Sequence, residues 1–219
     1  MKQLFFLLAL LLFSFLSYGQ KVADTYPFDM QSIPKGIEVI DGFMGIQRII
    51  EAEGKSQEEI YQLLSRWVAQ NYKRGDLVTD LDRKTSIIVK GNNTMMVEYV
   101  KFSRKSGMLK FSDKTTNDHT ITFDIKDGKI RMNIVPNEMK LYFMNINPNT
   151  FVRYEDYVKG DAQMYYKNAL AFDPFTKYKH NQLVSFNFSF AYLQAFNRWV
   201  ESRMISVEQA INNKTDNDW

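Results

Sequence analysis

The sequence predicts an α+β fold in which an antiparallel sheet packs on one or two helices. Three observations predict it: a capped amphipathic stripe over residues 56–72, period-2 segments from Leu77 onward that turn at Asp127-Gly128, and a second helical stripe from Leu193 to Ile211.

The chain of 219 residues begins with one cation, Lys2, followed by an apolar run from Leu4 to Leu16 and the small-residue spacing Ser17-Tyr18-Gly19. A run of about 13 residues suits a cleaved secretory signal peptide and is too short to span a bilayer as a helix. Residues 1–19 are therefore read as a leader, cut after Gly19, and excluded from the core. No Cys is present, which removes a lipidated cysteine anchor, thiol nucleophiles and cysteine-ligated zinc. The expectation is an exported chain, periplasmic or secreted, soluble after cleavage and with no stable membrane span.

Residues 20–41 hold Pro27, Pro34 and Gly36 without periodicity and read as an extended lead-in. From Phe43 to Ala52, Met44, Ile46, Ile50 and Ala52 fall on one side of a period-2 alternation broken by Arg48, with Gln47, Ile49 and Glu51 on the other side, giving a first strand. Ser56-Gln57-Glu58-Glu59 follows as a capping box, and Ile60, Leu63, Leu64, Trp67, Val68 and Tyr72 repeat at helical spacing, with Gly75 as a stop. Burial of those side chains, at roughly 1.5–3 kcal/mol each, outweighs the cap.

The period then becomes two. Short strands are expected at Leu77–Leu81, Thr85–Lys90, Thr94–Phe102 and Met108–Phe111, separated by turns that include Gly91-Asn92-Asn93. The best hairpin turns at Asp127-Gly128, a dipeptide suited to tight reversal. Pairing Lys126 with Lys129 sets Ile125 against Ile130, Phe123 against Met132 and Ile121 against Ile134 on one face. Asp124 meets Arg131 and Thr122 meets Asn133 on the other, so this register buries one face and pairs charges on its reverse. Pro136 and Asn137 are expected to end the sheet. Residues 137–185 read as a Tyr-rich insertion with helical spacing through Tyr154, Tyr157, Val158, Tyr165 and Tyr166, interrupted at Gly160. Residues 186–219 read as a C-terminal amphipathic helix with a polar tail. Residues 42–136 are then the main domain.

Strand one, the run Gly54-Lys55-Ser56-Gln57-Glu58-Glu59-Ile60-Tyr61 with Trp67, and Lys126-Asp127-Gly128-Lys129-Ile130-Arg131 together resemble an exported Bacteroidetes family. Its members carry a domain of unknown function with a TATA-binding-protein-like (TBP-like) fold, and the likeness covers about Ile40 to Val135. It implies a curved antiparallel sheet gripping one or two helices and carries over no catalytic residue. Nucleic acid is not an expected partner, because a formal charge of +3 is too small for a polyanion reader.

The candidate chemistries are incomplete. His119 and His180 lack a prearranged metal spacing and read as surface histidines, so no metal or other cofactor is expected. Asp80 with Asp82, and Asp113 with Asp118, offer carboxylate pairs, yet Asp is also favoured in turns. Asp216-Asn217-Asp218 lacks the Gly and Glu of a calcium loop. Two surface features stand out. Lys101, Arg104, Lys105, Lys110 and Lys114 form a basic rim suited to an anionic glycan or headgroup, and Tyr154, Tyr157, Tyr165 and Tyr166 belong to a series able to line a ligand surface. The leading expectation is a non-enzymatic binding or accessory domain that presents sheet and helix surface to an envelope protein or amphipathic ligand. The alternative is an envelope-polymer hydrolase or metal-dependent enzyme using Asp118, His119 and His180.

Overall fold

Asp127-Gly128 reverses the chain between two long strands, and the ladder on either side has the register expected from the sequence. Lys126 faces Lys129, Ile125 faces Ile130, Asp124 faces Arg131, Phe123 faces Met132 and Ile121 faces Ile134. Gly128 takes a left-handed φ of 70°, which a side chain would resist. Asp127 also ties the hairpin tip to a helix start, because its carboxylate accepts the Gln57 N–H at 2.7 Å. Gly128 reinforces that link by donating to the Lys55 carbonyl at 2.9 Å.

The computed structural model describes residues 33–72, 77–79, 84–103, 107–146, 153–172 and 180–212. The expected leader, Asp80, Asp82 and the Asp216-Asn217-Asp218 segment lie outside those residues. The elements are β1 (Ile37–Ile40), β2 (Phe43–Glu51), α1 (Gln57–Asn71), β3 (Leu77–Thr79), β4 (Ser86–Ser103), β5 (Gly107–Lys126), β6 (Lys129–Ile146), β7 (Arg153–Asp161), α2 (Ala162–Leu170) and α3 (His180–Asn212). The strands form one antiparallel sheet in the order β1-β2-β6-β5-β4-β3, with β7 added to β6 beyond the end of β2.

The helices pack on one face of this sheet. Ser56 caps α1 in a complete capping box with Glu59, and Ile60, Leu64, Trp67 and Val68 are buried. They meet Ile46, Ile50, Ile87, Val89, Ile121, Phe123, Ile130 and Met132 from the strands, while Tyr192, Leu193, Phe196, Val200, Val207 and Ile211 of α3 close the core. Alternation sends Ile49, Lys90, Asp118 and Arg131 to the opposite face, where Arg131 and Asp124 pair at 2.8 Å. Among the described residues no helix is long and apolar enough to cross a membrane.

Five expectations are corrected. Residues 37–40, read as lead-in, form β1 and pair with β2 from Ile37 opposite Ile46 to Ile40 opposite Phe43. Gly91-Asn92-Asn93 is not a turn, because β4 runs through it. A Cβ on Gly91 would lie 2.6 Å from Tyr72 Cε1, so the glycine makes room for a ring from the end of α1. Asp113 and Asp118 likewise sit within β5, opposite Val97 and Asn92, and not in turns. Pro136 does not end the sheet, since β6 continues to Ile146. Its missing N–H is harmless there: β2 leaves β6 at Ile134.

The Tyr-rich segment is the fifth correction. Residues 153–161 are strand β7 and not a helix, with Tyr157 opposite Tyr142 and Gly160 opposite Met139. Asp161 then caps α2 by accepting the Gln163 N–H at 2.9 Å, so Gly160 marks a strand-to-helix junction. The C-terminal helix is longer than its stripe. It starts at His180, and residues 186–196 are buried almost all round between α2 and the sheet.

Candidate functional site

The structure joins part of the basic rim to part of the tyrosine series on the sheet face that carries no helix among the described residues. Tyr142 on β6 and Tyr157 on β7 stand opposite one another, with ring centroids 5.6 Å apart at 46°. Lys114 Nζ lies 4.6 Å from the Tyr142 centroid and Lys140 Nζ lies 5.5 Å from the Tyr157 centroid. Both are within cation–π reach. Lys159 pairs with Glu138 at 3.2 Å at the edge of the patch. The result is a pair of inclined aromatic rings with hydroxyls and ammonium groups beside them, suited to an amphipathic or anionic group.

Other expected site residues do not join it. Tyr165 of α2 packs inward, 5.3 Å from Phe188 and 5.0 Å from Tyr192 between ring centroids. Tyr166 is half-buried against the core. Tyr154 occupies a β7 position opposite Asn145, and Lys101 and Lys110 occupy β4 and β5 positions opposite Leu109 and Val100. The side chains of those three, and all of Arg104 and Lys105, lie outside the described residues. Sequence reasoning missed Lys140 and did not pair Tyr142 with Tyr157, because both facts require β6 to run past Pro136.

Beneath the helices, β4 and β5 carry a buried polar seam. Asn93 faces Asn117 and Gly91 faces His119, and the side chains of Asn93, Asn117, Thr115 and His119 all sit in the interior. Tyr192 donates its hydroxyl hydrogen to Asn117 Oδ1 at 2.8 Å, and Thr115 donates to the Met95 carbonyl at 3.3 Å. The Tyr72 hydroxyl meets His119 Nε2 at 3.2 Å, and the Trp199 ring centroid lies 4.6 Å from that of His119. Burial lowers the His119 pKa to about 4; the Asn117 backbone favours the charged ring, but less strongly, and Arg203 disfavours it. Burial also pushes the Tyr72 hydroxyl up to about 12 and raises that of Tyr192.

His119 is therefore no surface histidine. It is 1% exposed and neutral at physiological pH. Asp118, its neighbour on the strand, points to the opposite, solvent-facing side. Asp118 and His119 thus do not converge as the catalytic alternative needs, and the His180 side chain lies outside the described residues. Asp113 and Asp118 also project to opposite faces; the Asp113 carboxylate accepts the Tyr99 hydroxyl at 2.6 Å. Among the described residues no three His, Asp or Glu side chains are placed to hold a metal ion.

Where β2 parts from β6, the side chain of Gln163 takes over the ladder. Its Nε2 donates to the Pro136 carbonyl at 2.7 Å and to the Met44 carbonyl at 3.1 Å, and its Oε1 accepts the Met44 N–H. An open groove of about 450 Å³, lined by Phe43, Asn137, Glu138, Lys159, Gly160 and Asp161, runs beside it. Gln163→Leu strands three backbone groups. Water entering from the groove limits the loss to about 2 kcal/mol. Urea unfolding should show that loss and hydrogen exchange at the Met44 amide should accelerate; an unchanged Met44 exchange rate would show that the side chain bridges nothing.

A single antiparallel sheet whose described helices all pack on one face defines an α+β, TBP-like architecture. Residues 47–136 match the model of a family described as a domain of unknown function (DUF4468) with TBP-like fold. A crystal structure of a DUF4468 family protein from Bacteroides ovatus is similar over 85% of this chain and 96% of its own, with a TM-score of 0.55 and 15% identity. A crystal structure of a TBP-like protein from Parabacteroides distasonis is similar over 82% of this chain and 99% of its own, with a TM-score of 0.51 and 15% identity. At that identity the likeness is one of fold, and it reaches well beyond the stretch matched by the family model. No curated protein matches the chain.

Proposed function

We propose that this chain is an exported, non-enzymatic binding or accessory domain of the cell envelope, and that the Tyr142/Tyr157 patch on the open sheet face receives its ligand or partner. The observation that carries this reading is the pairing of two facing tyrosines with Lys114 and Lys140 on a sheet face that bears no helix among the described residues. Aromatic rings flanked by cations are poor core material and good recognition material: they offer contact area at low entropic cost and favour anionic groups. An amphipathic envelope component with acidic groups fits that chemistry, and so does an acidic protein surface. Export is supported by Lys2 and the apolar run Leu4 to Leu16.

A photo-crosslinking amino acid at position 142 or 157, introduced in the producing bacterium, tests the reading. Adducts to an envelope component are expected from both positions and not from position 170 of α2, where Leu170 is also exposed. Fractionation should place the chain outside the cytoplasm with an N-terminus at Gln20. Retention in the cytoplasm overturns the export half, and equal labelling from all three positions overturns the patch.

A further inference from the structure

We propose that two copies of this chain associate through β7, pairing antiparallel about a twofold axis that sets Tyr157 opposite Tyr157 and joins the two sheets into one. Among the described residues β7 pairs with β6 along one side and no strand pairs with the other. The outer strands β1 and β3 are four and three residues long, whereas β7 presents nine. Short strands are a usual way to blunt a sheet edge, and a long unpaired strand is a template for another chain.

The residues along this edge are self-complementary. With the axis at Tyr157 and perpendicular to the sheet, position 153 meets 161 and position 155 meets 159. In the sequence Arg-Tyr-Glu-Asp-Tyr-Val-Lys-Gly-Asp that matches Arg153 with Asp161 and Glu155 with Lys159, each twice. Centring the axis on 155, 156 or 159 sets Glu155, Asp156 or Lys159 against its own copy, and centring it on 158 sets Glu155 against Asp161; like charges directly opposite are unfavourable. Charge therefore selects one register and one occupant, a second copy.

The other long edge has no such solution. Residues 90–103 of β4 extend past β3, which pairs only with residues 87–89. The alignment centred on Thr94 sets Lys90 against Glu98, but it drives residues 99–101 of the copy into the place that β3 occupies. A nine-residue strand pair is smaller than a standard interface of about 1,600 Å², so a dissociation constant on the order of micromolar is expected. The pairing uses the strand edge and does not depend on what the open face binds.

The chain has no Cys, so an introduced one reports only on itself. Opposed residues in antiparallel strands lie about 4.5–5.5 Å apart at Cα, within the span of a disulfide. Mild oxidation should link Tyr157→Cys into a covalent dimer. Lys159→Cys alone should stay unlinked, and mixing it with Glu155→Cys should give the cross-linked pair. In sedimentation, Lys159→Glu should weaken the dimer at least 10-fold and Lys159→Glu with Glu155→Lys should restore it. That rescue separates the partner contact from the exposed Lys159–Glu138 pair, which the double variant does not rebuild. A monomer at 100 μM or so, a dimer indifferent to the charge swap, or a Tyr157→Cys variant that dimerises without forming the disulfide each overturns the proposal.

Discussion

Trp67→Ala should destabilise the protein by about 3–5 kcal/mol, the range for removing a large aromatic side chain from a packed core. Trp67 is 2% exposed and stands edge-on to Phe123 of β5, with centroids 5.9 Å apart at 82°. Its indole N–H donates to Ser206 Oγ of α3 at 2.9 Å. One side chain thus ties α1 to both the sheet and the C-terminal helix, and its removal opens a cavity at the point where three elements meet. For a domain of this size 1 kcal/mol is about 2–4 °C in Tm, so the midpoint should fall by roughly 6–20 °C. Trp67→Phe retains most of the packing and loses the hydrogen bond, which is worth about 1 kcal/mol. Urea unfolding followed by circular dichroism measures both variants. A Trp67→Ala unfolding free energy within 0.5 kcal/mol or so of that of the unaltered protein would refute this account of the core.

Why Trp67 was recognisable from sequence, and β7 was not, has a physical basis. The α1 stripe repeats over three turns behind a capping box, and both signals are local. The Asp127-Gly128 hairpin was equally legible, because each face independently demands the same register. Gly91 and Pro136 misled for a different reason. Each is a breaker by local chemistry but has a tertiary role, Gly91 lying under the Tyr72 ring and Pro136 at the point where Gln163 replaces strand pairing. With the sheet expected to end at Pro136, β7 has no partner strand, and Tyr154, Tyr157 and Val158 fit a helical spacing. The early part of α3 was hidden by its own burial. Phe186, Phe188 and Phe190 alternate with Asn187 and Ser189, and all five are buried, so a helix covered on most sides has no polar face to reveal its period.

The candidate site was legible only in part for the same reason. Tyr157 and Lys114 stand out by composition, but the surface they share with Tyr142 and Lys140 depends on pairings between β5, β6 and β7. Those pairings span a bulge between Asn117 and His119 that no local signal announces. The same irregularity accompanies the buried seam, where polar residues take core positions on β4 and β5. Asn93, Asn117 and His119 sit at positions where alternation alone would call for apolar side chains.

His119 gives that seam a measurable consequence, a loss of stability between pH 6.5 and pH 4. Burial holds its folded-state pKa at about 4, below the unfolded value of 6.5. In that interval the unfolded chain binds the proton more readily than the folded one, so stability falls as pH falls, and the contribution is fully present only above pH 6.5. A separation of this size corresponds to about 3 kcal/mol over the whole interval. Exposed carboxylates act lower on the scale: hydrogen bonds from Lys84 and Gln62 lower the pKa of Glu58, and hydrogen bonds from Ser56 lower that of Glu59, both from 4.5. Their contributions are fully present above pH 4.5 and are lost progressively as pH falls below it. His119→Gln keeps a polar group near the Tyr72 hydroxyl and removes the titration. The variant should start less stable at pH 7 and lose little between pH 6.5 and pH 5, whereas the unaltered protein loses stability steadily there. Urea unfolding at half-unit pH steps measures the two slopes, and their difference cancels any contribution from His180. Equal slopes, or a His119 ring that titrates near 6.5 by NMR, would mean that His119 is not sealed behind Tyr72 and Trp199.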